Sequence, residues 1–139
     1  MKRIAMMSLI LVLFGSVLIA NAQTANFITA KIPFDFYIQG ERMPAGEYRV
    51  ATYGANGLLQ FTCHSGNKIM ATASIEAGER HVSGSPLLAF HQYGDTYFLS
   101  IVSFGTGGLK ALPMTGAERE YQAKASGGPK VVAVAVQPN

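Results

Sequence analysis

Apolar side chains recur at every second position in stretch after stretch of this 139-residue chain, separated by glycine-containing breaks. Only extended backbone can bury such a period on one side, because successive Cβ atoms of a strand point to opposite faces. Ile32, Phe34, Phe36 and Ile38 alternate with Lys31, Asp35 and Tyr37, which predicts a first strand with one core face. Residues 39–46 read as a turn-rich connection, and Pro44 and Gly46 punctuate entry into a second strand over residues 48–53. Residues 58–64 and 68–77 flank Ser65-Gly66-Asn67 and predict a hairpin. Placing Leu59, Phe61 and Cys63 on one face with Ala71, Ala73 and Ile75 requires an odd-numbered loop such as Gly66-Asn67-Lys68, because a one-residue slip sends one set to solvent.

Residues 78–86 form a polar, glycine-containing loop, the longest interior candidate for a mobile segment. A second hairpin follows around Gly94-Asp95, a pair suited to a two-residue turn. That turn places Phe90 opposite Leu99 and Leu88 opposite Ile101, with Gln92 and Tyr97 on the same side. The other side carries Leu87, Ala89, His91, Tyr93, Phe98, Val102 and Phe104, so these strands are expected to be covered from both directions. Thr115-Gly116-Ala117-Glu118 has capping-box spacing and predicts a helix over residues 116–125, with Ala117, Tyr121 and Ala125 on one stripe. Gly127-Gly128-Pro129 stops it, and residues 130–136 supply a last strand. The expected fold is mainly β, an antiparallel sandwich or small barrel of about seven strands with one short C-terminal helix.

Ahead of this domain, Lys2 and Arg3 precede an uncharged apolar stretch over residues 4–20, and Ala20-Asn21-Ala22 offers the small side chains a signal peptidase accepts. Residues 1–22 are expected to be a helical signal peptide, and residues 23–139 a single β domain that begins at Gln23 after cleavage. A retained membrane anchor is the alternative, since the apolar stretch approaches the roughly 20 residues that span a bilayer. The destination is the periplasm or the extracellular space, with membrane contact only through an uncleaved signal. Taking Lys2 and Arg3 from eleven basic residues leaves nine against eight acidic ones, a net charge of +1. Those nine are scattered singly, without the clustered basic face of a nucleic-acid-binding protein. Cys63 is the only cysteine, so no disulfide forms within the chain, and its place after Leu59 and Phe61 reads as a small core residue.

Several segments carry a resemblance: Phe34-Asp35-Phe36, Pro44-Ala45-Gly46-Glu47-Tyr48-Arg49-Val50, residues 90–99 from Phe90-His91 to Phe98-Leu99, and Leu112-Pro113 ahead of Glu118-Arg119-Glu120. In these the chain resembles a group of small exported bacterial β proteins of uncharacterised function. The resemblance spans most of the domain and implies secretion and architecture. It supplies no catalytic or ligand-binding residue to carry over.

Candidate chemistry is sparse. His91 and Asp95 suggest an imidazole oriented by a carboxylate, but Asp95 belongs to the turn, and no Gly-x-Ser-x-Gly elbow supplies a nucleophile. His91 reads as a histidine packed beside Phe98. Cys63, His64, His81 and His91 are the only soft or borderline metal donors, and Cys63 and His64, adjacent in a strand, point apart. Asp35, Glu41, Glu47, Glu76 and Glu79 show no glycosidase-like pairing. Gly105-Thr106-Gly107-Gly108 lacks the ending of a phosphate loop and reads as a turn. Asp35, Tyr37, Arg49 and Tyr53 are expected on one polar, aromatic patch opposite the core face of the first two strands. The ligand-binding candidates are therefore Tyr37, Arg49, Tyr53 and His91, with no catalytic residue, metal or cofactor assigned. The expected role is that of an exported non-enzymatic β domain, interaction or structural, at the cell envelope or outside; its partner is not identified by the sequence, the candidates being an envelope protein, a glycan or a small apolar ligand. A small barrel around an apolar ligand is the alternative, and a hydrolase of unrecognised type comes third.

Overall fold

A computed structural model of the protein describes residues 27–53, 58–66, 68–72, 84–105 and 109–138. The expected signal segment, Ala73, Ile75, and most of the loop over residues 78–86 lie outside them. The described residues form eleven strands and one helix: β1 (Phe27–Ile32), β2 (Phe36–Ile38), β3 (Glu41–Met43), β4 (Gly46–Tyr53), β5 (Leu58–Cys63), β6 (Lys68–Thr72), β7 (Leu87–Tyr93), β8 (Thr96–Ser103), β9 (Leu109–Ala111), α1 (Gly116–Lys124), β10 (Lys130–Ala135) and β11 (Gln137–Pro138). The chain is mainly β. One sheet runs β11-β1-β4-β5-β6, and the other runs β10-β7-β8-β2-β3 with β9 added to β8. All pairings are antiparallel except β2 with β8. Among the described residues neither sheet closes into a barrel.

The expected first strand is two strands in two different sheets. Pro33 has no N–H to continue the ladder, and the chain turns through Pro33-Phe34-Asp35 out of the first sheet and into the second. Asp35 fixes this corner, accepting the Ala45 N–H at Oδ1 and the Arg42 guanidinium at Oδ2, each at 2.8 Å. Ile32, Phe36 and Ile38 remain buried on both sides of the break, so the alternation marked core residues correctly while spanning a change of sheet. The connection expected over residues 39–46 contains β3. Gln39 and Gly40 both take positive φ, 48° and 93°, the pattern of a type I′ turn that joins β2 directly to β3.

The two sheets share one apolar core. Ile28, Val50, Leu59 and Phe61 point into it from the first sheet, and Phe36, Leu88, Phe90 and Leu99 from the second. Phe36 meets Tyr48 and Phe90 edge to face, at 5.2 and 5.4 Å. Leu59 pairs with Ala71 as its shared face requires, but Thr62 is opposite Lys68, so the odd loop has five residues, Cys63 to Asn67. In the second hairpin Gly94 has φ 60° and the turn pairs Tyr93 with Thr96, which puts Phe90 opposite Leu99. A β-bulge then shifts the register. Ser100 is left without an opposite residue, and its hydroxyl donates to the Ala89 carbonyl at 3.0 Å. Leu88 consequently faces Val102 rather than Ile101, and Val102 turns into the core instead of lying beside His91 and Phe98. At the far end the chain passes through buried Val136 from β10 in one sheet to β11 in the other.

The helix begins where its cap predicts and ends at Lys124, with the Ala125 N–H bonded to the Tyr121 carbonyl. Its buried side differs from the expected stripe. Ala117 and Tyr121 are exposed, and Glu118 is the residue turned inward.

Candidate functional site

His91 and Tyr93 alternate on the outward face of β7, and Phe98 of β8 lies directly across from His91. Tyr37 of β2 extends the row, its ring stacked on Phe98 at 5.3 Å, while Tyr93 meets Phe98 edge to face at 5.8 Å. The helix lies over this face. Thr115 accepts the Glu118 N–H at 3.2 Å. The Glu118 carboxylate does not reach back to complete the capping box but turns onto the sheet. His91 Nδ1 donates to Glu118 Oε1 at 2.7 Å, and the Tyr93 hydroxyl approaches the same oxygen at 3.5 Å. Glu118 is 4% exposed. A carboxylate withdrawn from water that far needs hydrogen bonds. His91, its side chain 26% exposed, supplies the shortest of them. Burial, and then the charge of Glu118, push the pKa of the Tyr93 phenol up. Tyr121 closes the cluster with its ring 5.4 Å from that of Phe98.

A carboxylate on imidazole Nδ1 is the arrangement that orients a histidine base. Hydroxyls of β8 and of the helix cap have structural tasks. Ser100 bonds the Ala89 carbonyl, Ser103 accepts the Gly105 N–H at 3.3 Å, and Thr115 caps the helix. Among the described residues no hydroxyl or thiol is hydrogen-bonded to His91. Asp95 stays exposed in its turn, and the histidine takes instead a partner 27 positions along the chain. The sequence signal for Glu118 was its place in the cap, which identified the residue without its destination.

The expected grouping of Asp35, Tyr37, Arg49 and Tyr53 is divided between the sheets, because the corner at Pro33 carries Tyr37 into the second one. Tyr37 lies in the aromatic row under the helix. Arg49 and Tyr53 lie on the outward face of β4, where the Arg49 guanidinium sits 3.6 Å above the Phe27 ring and Tyr53 is 63% exposed. A cleft of about 280 Å³ opens between edge strands β3 and β6, with Met43, Tyr48, Cys63 and Lys68 in its wall. Cys63 packs against the core from this half-buried position, and hydrogen bonds from the Ser65 side chain and backbone hold its thiol below the usual thiol range. Tyr48 donates to the Pro44 carbonyl, and burial raises its phenol above the usual range. Among the described residues no three of His, Cys, Asp and Glu converge on a metal position. His64 is exposed in the β5–β6 turn, and His81 lies outside those residues.

No family model, curated protein or solved structure matches the chain.

Proposed function

We propose that this chain is an exported, non-enzymatic β domain, its two sheets stacked as a sandwich, that acts by surface contact with a protein or glycan of the cell envelope or outside the cell. The observation that carries this reading is the use made of the polar cluster around His91 and Glu118. His91 and the Tyr93 hydroxyl both meet the buried Glu118 carboxylate that fastens a helix to the sheet, and among the described residues no hydroxyl or thiol is hydrogen-bonded to His91. The space between the sheets is filled by Phe36, Tyr48, Phe61 and Phe90, which supports a surface role over an apolar ligand in the interior. Tyr53 and Arg49 offer an exposed ring and a cation of the kind that glycans and proteins engage. Export rests on the basic, apolar and small-residue pattern of residues 1–22.

Incubating the processed protein with a panel of ester, glycoside and peptide substrates tests the non-enzymatic part. No turnover is expected. Hydrolysis that disappears in His91→Ala, in a variant that still folds, would replace this reading with a hydrolase whose base is His91 and whose orienting carboxylate is Glu118.

A further inference from the structure

Helix α1 is nine residues long, polar along its length, and buries only Glu118. A helix this short and this polar is not stable in water by itself, and among the described residues no strand packs extensively along it. Among the described residues its polar and aromatic hold on the sheet runs through His91 to Glu118, Tyr93 to Glu118, and Phe98 to Tyr121. The helix is slung between two fixed points. On one side the Leu112 N–H donates to the Ser100 carbonyl at 2.8 Å, and on the other Lys130 opens the pairing of β10 with β7 opposite Gln92. The return segment contains Gly127 and Gly128, around which there is open space. Lifting the strap between these points breaks no strand pairing. Beneath it Phe98 and Tyr93 are 3% and 6% exposed, and they are continuous with Tyr37.

We propose that α1 is a latch, closed by the His91–Glu118 clasp, which opens as a unit on folded sheets and thereby uncovers the aromatic row Tyr93–Phe98–Tyr37. Segments with few buried apolar contacts open locally at lower free energy than the whole domain. The Glu118 carboxylate is the dominant fastening because a hydrogen bond to a charged group exceeds a neutral one and its loss leaves a buried group unmatched. Neither export nor any particular partner is required for this motion.

Hydrogen–deuterium exchange of the full chain, read on peptides from α1 and from β4–β5, tests it. The α1 amides are expected to exchange by a route that leaves β4 and β5 protected. Glu118→Gln and, separately, Tyr121→Ala should speed α1 exchange, the former by roughly tenfold or more, with β4 and β5 unchanged. Should one variant unfold globally, its β4 and β5 amides will show it and the other variant decides. Exchange of α1 in step with β4 and β5, or α1 rates untouched by the substitutions, would overturn the latch.

Discussion

Asp35 holds together a corner whose two sides lie ten residues apart. The Ala45 N–H and then the Arg42 guanidinium lower its pKa below the ordinary 3.8. A carboxyl with a depressed folded-state pKa stabilises the fold above its unfolded pKa, and that contribution is lost as the pH falls through the folded value. Urea unfolding of the wild type and Asp35→Asn should therefore differ at neutral pH and converge in acid below pH 3.8. A constant difference across that range would remove the carboxylate from the account of the corner. Residues of this kind were only partly legible in the sequence. The cap on Thr115 could be read from four adjacent residues, because both partners lie within one helical turn. The Glu118 carboxylate could not be followed to His91, since that pairing depends on how a helix far along the chain settles onto a sheet.

Among the elements, the hairpin at Gly94-Asp95 was legible and breaks within a strand pattern were not. Gly94-Asp95 sets its own register through local backbone preference, whereas the bulge at Ser100 follows from the need to turn Val102 inward against Leu88. The apolar alternation over residues 32–38 continues across the Pro33 corner because both sheets bury their side of it in the same core. The turn at Gln39-Gly40 was hidden inside a segment read as a connection, although its backbone is specific. Gly40 has φ 93° with nothing within 4 Å of an added Cβ, so Gly40→Ala meets backbone strain alone and should cost about 1 kcal/mol. Gly116, in the first turn of the helix and equally uncrowded, has ordinary helical backbone, and Gly116→Ala should stabilise by about 0.4–1 kcal/mol. Denaturant midpoints of the two variants should move in opposite directions, and a shift in the same direction would show that conformation at Gly40 is not what its turn requires.

For the whole molecule, the decisive feature is one core shared by two sheets, with Phe90 and Phe61 facing it from opposite sides. Truncating either ring empties space that both sheets line. Phe90→Ala and Phe61→Ala should each cost about 3–5 kcal/mol, and each should shift one cooperative transition followed by far-ultraviolet circular dichroism. Two separated transitions would mean that the sheets are independent. The use to which the domain is put begins with its address, and N-terminal sequencing of the chain recovered outside the cytoplasm of an expressing bacterium tests that most directly. The account predicts a mature chain beginning at Gln23, whereas a chain confined to the cytoplasm with Met1 still in place would contradict it.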